Sequence, residues 1–245
     1  MTEKVEEQCM DHKQSLEFKY ELFCSCRKKS LFLLKKALEF ARSHGREKYH
    51  QYTMFKEVVV AGARYMHRGY YCPSLIRELM IDNVCRGRIL KHPTVRSKIS
   101  HRYFFDEHGY LRIAKAKLPN LKEKTEYILY EENTVYGFAF DDWGTLVALS
   151  EERYVDGVLT QYLVASCYIN PEDGTGRELT HMLYEEYGDI ADGHATVQCY
   201  EMHPDIAGLE LQDMWDAMVH GTKYSCSYEE ITPRGLKGLR INREF

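Results

Sequence analysis

The chain has 245 residues, 44% of them hydrophobic, and a formal net charge of −4; this is enough apolar material for a sizeable core and excludes disorder of the whole chain. No apolar run reaches the roughly 18 residues of a membrane span, and the first twenty-five residues carry Glu3, Glu6, Glu7 and Asp11 where an export signal would be apolar, so a soluble cytoplasmic protein is expected. The net charge conceals a polarity: residues 1–124 hold 26 Lys and Arg against 14 Asp and Glu, a net of +12, and residues 125–245 hold 7 against 23, a net of −16.

Phe23, Arg27, Leu31, Leu34, Leu38 and Ala41 recur at steps of three and four, which predicts a helix from about Ser15 to His44 that stops at Gly45. Tyr52, Phe55, Val59, Gly62 and Met66 repeat the spacing and predict a second helix from Arg46 to Arg68. A third begins at Pro73, runs through Leu75, Ile76, Leu79, Met80 and Val84 towards Leu90, and is closed by Pro93. Short connections between them favour antiparallel packing, so residues 1–97 read as a basic three-helix unit.

From Lys98 the period changes to two, and residues 98–245 read as an acidic, β-rich domain. Ser100–Phe105 and Tyr110–Lys115 flank Asp106-Glu107-His108-Gly109 as a hairpin. Phe105-Asp106-x-x-Gly109-x-Leu111 then reappears as Phe140-Asp141-x-x-Gly144-x-Leu146. The Asp can accept from turn amides and the Gly can take a positive φ, leaving Phe and Leu for the flanking strands. The pattern resembles the Tyr-Asp-x-x-Gly-x-Leu signature of YD-repeat β proteins; no functional residue is carried over from that resemblance.

Another hairpin is expected at Asp156-Gly157, between Leu146–Val155 and Val158–Tyr168. Strands at Arg177–Tyr187 and Ala195–Met202, a short helix at Leu209–Val219 and a closing strand at Lys223–Ile231 follow. The expected class is α+β: a three-helix unit, then a mostly antiparallel β-rich part with one short helix near the C-terminus.

Eight cysteines at irregular spacing in a long chain favour free thiols, several buried as small apolar groups. Cys24 and Cys26 diverge on a helix and suit neither a metal nor a redox pair. Phosphate-binding glycine loops, the nucleophile elbow and the zinc-protease helix motif are absent. His181, His194, His203, Cys167 and Cys199 lie close in sequence but match no zinc spacing, so no metal, cofactor or catalytic residue is assigned. His181 and Glu185 remain the first pair to consider for an enzyme of unrecognised type.

Two charged segments carry the expectation of partners. Between Asn83 and Phe105 there is no acid, while Arg86, Arg88, Lys91, Arg96, Lys98 and Arg102 are basic; such a strip suits nucleic-acid phosphates, or else the acidic half of the same chain or plain solvent. From Tyr154 to Thr222 there are thirteen acids and one base, Arg177, a density that favours a cationic partner. Both tryptophans sit beside acids. The expected partner-binding residues are therefore Asp141, Asp142, Trp143, Glu185, Glu186, Asp189, Asp192, Asp213, Trp215 and Asp216.

The leading expectation is a non-catalytic binding protein whose acidic face masks a cationic protein, most concretely an immunity-type inhibitor of a bacterial nuclease toxin. A nucleic-acid-binding regulator using segment 86–102 is the alternative.

Overall fold

The computed structural model describes residues 2–43, 45–51, 55–64, 67–77, 85–117, 123–188, 194–203, 219–227, 230–232, 235–237 and 240–244. Helix α1 spans Thr2–Arg42 and α2 spans Gly45–Gln51. The strands are β1 Lys56–Ala61, β2 Arg88–Ile89, β3 Ile99–Phe105, β4 Leu111–Lys117, β5 Glu123–Glu131, β6 Thr134–Phe140 and β7 Leu146–Val155. They continue as β8 Val158–Ile169, β9 Gly176–Tyr187, β10 His194–Met202, β11 Val219–Ser227, β12 Glu230–Thr232, β13 Gly235–Lys237 and β14 Arg240–Glu244.

Twelve strands form one antiparallel sheet in the order β14-β11-β10-β9-β8-β7-β6-β5-β4-β3-β1-β2, and β12 pairs with β13. From β3 to β11 each strand lies beside its neighbour in sequence, and residues 118–122, 189–193 and 204–218 of the connections lie outside the described residues. No helix among the described residues is long and apolar enough to cross a membrane.

The expected three-helix unit does not form. The helical parts among the described residues are α1, the seven-residue α2, one 3-10 turn at Gly69–Tyr71 and Arg77, and residues 56–61 are strand β1, paired with β2 and β3. The spacing of Phe55, Val59 and Gly62 suits a helix, but Val58, Val59 and Val60 are consecutive β-branched residues that lose rotamer freedom in one and pack well on a sheet. All three are buried. Of the third segment, Cys72–Ile76 is irregular, Arg77 is helical, residues 78–84 lie outside the described residues and Arg88–Ile89 is strand β2. The expected helix at Leu209–Val219 lies outside the described residues, except that Val219 opens β11. One sheet thus runs across the expected boundary at 97/98, with β1 and β2 joined to β3.

Helix α1 covers one face of the sheet. Among the side chains described on it, from residue 15 onward, Phe23, Cys26, Ser30, Leu33, Leu34 and Ala37 are buried, while Arg27 and Leu31 are exposed, so the buried stripe is rotated from the one read in sequence. The stripe meets Tyr127, Phe138, Phe140, Leu149, Leu163, Ala165, Met182 and Tyr184 in one core. Lys36 donates to Glu131 at 2.6 Å and lies 4.1 Å from the centre of the Tyr136 ring.

The Phe-Asp-x-x-Gly-x-Leu repeat is a repeated turn. Asp106 Oδ1 accepts from the amides of His108 and Tyr110 at 3.0 and 2.9 Å, and Asp141 Oδ1 accepts from those of Trp143 and Thr145 at 3.0 and 2.9 Å. Gly109 and Gly144 both have φ of +82°, a backbone state that a side chain would strain. Both hairpins shift register at the phenylalanine that precedes the Asp. The β7–β8 hairpin turns at Asp156-Gly157 as expected, with φ positive at both residues.

Candidate functional site

Every second residue of the strands faces away from α1, and this second face is covered by an irregular strap, residues 67–77. The strap is pinned by buried polar groups. Arg68 donates to Glu126 through Nε at 3.1 Å and Nη2 at 2.8 Å, and to Glu152 through Nη1 at 2.6 Å. Gly137 makes the room: a Cβ there would lie 2.1 Å from Glu126 Oε1 and 2.7 Å from Arg68 Nη2. Tyr103 donates to the Arg68 carbonyl and accepts from the Tyr70 amide, both at 2.8 Å.

Further along, Ser74 donates to Glu185 at 2.8 Å and the Leu75 amide donates to the Tyr187 hydroxyl at 3.0 Å. Ile76 is fully buried against Leu159, Tyr162, Leu183 and Val197. Arg86 donates to the carbonyls of Cys72 and Ser74. Arg77 reaches Glu201 at 3.1 Å.

Between strap and sheet lies a cavity of about 620 Å³, within the usual range for small-molecule sites. Its sheet wall carries small side chains, Ala116, Ala148 and Ser166, which leave the space unfilled. Ala63, Cys72, Tyr162, Val164 and Leu183 add an apolar part, and the rest of the lining is cationic or imidazole: Arg64, Arg77, Lys117, Lys124, His67, His101 and His181. Among the described residues no carboxylate lines it. Of the four formal cations Arg77 has an acidic partner, whereas Arg64, Lys117 and Lys124 make no side-chain ion pair with a described residue. Burial pulls the Lys124 ammonium below its ordinary pKa, partly offset by Glu126.

Two histidines of the cavity are held differently. His67 bridges Glu126, at 3.3 Å from Nε2, and the Tyr162 hydroxyl, at 2.7 Å from Nδ1. An ionised carboxylate only accepts, so Nε2 carries the proton and Nδ1 accepts from Tyr162. Burial lowers the His67 pKa and raises that of Tyr162 well above its ordinary value, so the phenol keeps its proton at neutral pH and the relay offers no nucleophile. His101 stacks on Tyr103 with ring centroids 5.8 Å apart, and its buried Nδ1 has no hydrogen-bond partner. Burial takes its pKa down to about 4.

This arrangement can hold an anion. Arg64 and Lys117 are exposed, whereas Lys124 is part-buried. A part-buried ammonium and a buried imidazole nitrogen without a partner are costly to desolvate, and a phosphate or carboxylate would accept from the ammonium and, in the tautomer that protonates Nδ1, from the imidazole. The sequence reading missed the cavity because its cations lie at 64, 77, 117 and 124 on four separate elements; only the topology brings them together.

The expected partner-binding residues are dispersed. Asp141, Asp142 and Trp143 lie at the β6–β7 turn, where Trp143 is 67% exposed and Asp142 accepts from the Glu123 amide at 2.8 Å. Glu185 is fully buried beneath the strap, and Glu186 is exposed. Asp189, Asp192, Asp213, Trp215 and Asp216 lie outside the described residues. In the basic segment Arg86 is buried and holds strap carbonyls, and Arg102 donates to Glu57. Arg88, Lys91, Arg96 and Lys98 are exposed at or near edge strand β2. The pair His181 and Glu185 shares the second face, but Glu185 is committed to Ser74 and Tyr187.

The described cysteines, Cys24, Cys26, Cys72, Cys85, Cys167 and Cys199, are free thiols, and burial raises the pKa of Cys26, Cys72 and Cys167 to about 12. Comparison with protein-family models, with curated proteins and with solved structures finds no match.

Proposed function

We propose that this chain is a binding protein whose strap-covered cavity holds a small anionic molecule bearing a phosphate or carboxylate group. The observation that carries the reading is the composition of the cavity wall: four formal cations and three histidines, with no lining carboxylate among the described residues. Lys124 supports it most strongly, as a part-buried ammonium whose pKa burial lowers and which feels Glu126, a carboxylate already taken by Arg68 and His67. An anion bound there gains from the low local dielectric and offsets the desolvation of the lysine. A titration with inorganic pyrophosphate and with citrate, followed by the ring resonances of the histidines, tests the reading. Movement of the His67, His101 and His181 signals is expected for at least one anion; three signals that stay fixed under both would overturn it.

A second reading rests on the β6–β7 turn. Exposed Trp143 and the half-exposed Tyr168 rim a concavity that also holds Asp142 and Glu172 beside one cation, Arg46, an aromatic surface with a net acidic lining suited to a cationic protein partner. Immunity-type masking of a nuclease toxin is the concrete form of that reading. Pulldown from the native host at low and high salt tests it, with a cationic protein captured at low salt by the wild type and lost in W143A; recovery of none at either salt would remove it.

A further inference from the structure

At the far wall of the cavity, strands β9 and β10 bring together His181, Glu201 and His203. One ligand-capable atom from each lies within 4.8 Å of the others. Pairing of Met182 with Met202 and of Leu183 with Glu201 continues to put His181 opposite His203, so the two imidazoles project from the same sheet face with ring centroids 4.9 Å apart. Neither imidazole makes a hydrogen bond or ion pair with a described residue. All three residues are half-buried, deep enough to limit competition from water and open enough to admit an ion.

We propose that His181, Glu201 and His203 form a binding site for a divalent first-row transition ion such as zinc. Two neutral imidazoles and one carboxylate are a donor set of the borderline kind that such ions prefer over calcium or magnesium. Bonds of about 2.1 Å require ligand atoms roughly 3.3 Å apart, so binding draws the three side chains inward by rotamer adjustment without moving the strands. Arg77 holds Glu201 through Nη1 to Oε1 at 3.1 Å, leaving the second carboxylate oxygen for the metal. Since His181 also lines the cavity, the open coordination position faces the space where an anion would sit. The site goes beyond the anion reading and does not require it.

The test uses the full chain stripped with EDTA, dialysed and titrated with Co²⁺ alone. Uptake of one ion per chain is expected, with visible ligand-field absorption and paramagnetically shifted imidazole N–H resonances, and Zn²⁺ should displace it. H181A, H203A and E201Q should each weaken uptake by at least about tenfold while circular dichroism stays unchanged. Failure of the wild-type chain to take up Co²⁺, or an affinity unchanged in the H181A/H203A double variant, would overturn the proposal. The shifted resonances are read on the wild type, so a misfolded variant leaves the test intact. Pyrophosphate or citrate binding measured in EDTA reports on the cavity alone and bears on neither outcome.

Discussion

Arg68 and Glu126 are joined by two hydrogen bonds, at 3.1 and 2.8 Å, across a position that only glycine can occupy. This pair, with Glu152 on the other guanidinium nitrogen, fastens the strap to the sheet and thereby forms the roof of the cavity. Breaking a buried ion pair from one side leaves charge without compensation and costs about 3–5 kcal/mol. Arg68→Met is therefore expected to lower stability by that order in urea denaturation, and to expose the strap to limited proteolysis before global unfolding. Gly137→Ala, whose Cβ would collide with both partners, should act in the same direction. Strap cleavage indistinguishable from wild type in both variants would contradict this role.

Acid should loosen the same region in two stages. His101 has a folded pKa of about 4 against 6.5 for the free group, so between those values the unfolded chain binds a proton that the folded chain refuses. Stability rises with pH over that window and is lost as pH falls through it, by up to about 3 kcal/mol. Glu126 is held well below the usual carboxylate range, its burial outweighed by Arg68 and His67. Its contribution is present above about 4.5 and is lost as pH falls below that. Thermal midpoints measured from pH 7 to pH 4 should decline, and His101→Phe should flatten the decline above pH 4.5. An anion in the cavity favours the protonated imidazoles, so its affinity should increase from pH 7 to pH 5.

The rotated face of α1 is open to a direct contrast. Leu33 is fully buried and Leu31 is 36% exposed. Leu33→Ala should cost about 2–5 kcal/mol through lost transfer energy and the cavity left behind, whereas Leu31→Ala should fall within about 0.5 kcal/mol of wild type. Chemical denaturation midpoints distinguish the two faces.

The repeated turns should be separable in strength. Asp106 and Asp141 accept the same pair of amides, but Asp106 also takes a hydrogen bond from Arg112 Nε at 2.7 Å. Asp106→Ala should therefore destabilise more than Asp141→Ala, the latter costing about 1 kcal/mol, as read from thermal unfolding at equal salt. Equal losses would mean that the Arg112 contact contributes nothing.

Those turns were also the part of the fold most legible in sequence. Asp106 with Gly109, Asp141 with Gly144, and Asp156-Gly157 act through amides within a few residues, so local composition specifies them and fixes the strands on either side. Segment 52–66 was not legible, since Phe55, Val59 and Gly62 fit a helical period and the consecutive valines fit a strand; pairing of β1 with β3 decides the contest. The candidate site was least legible of all. Nothing in the local sequence distinguishes Lys124 from a surface lysine, and its partial burial follows only from the tertiary structure around it. A weak signal was present in the small residues Ala116, Ala148 and Ser166, which mark a sheet face too thin to fill its own space.

The central claim is that the strap and sheet enclose an anion site centred on Lys124. Thermal unfolding of the wild type and of Lys124→Met across a panel of phosphate- and carboxylate-bearing small molecules, at constant ionic strength with chloride as control, tests it most directly. Ligand linkage predicts that at least one anion raises the wild-type midpoint in a concentration-dependent manner, and that Lys124→Met, still folded, loses the shift. A wild-type midpoint that no anion moves beyond the chloride control, or a shift retained in full by Lys124→Met, would contradict it.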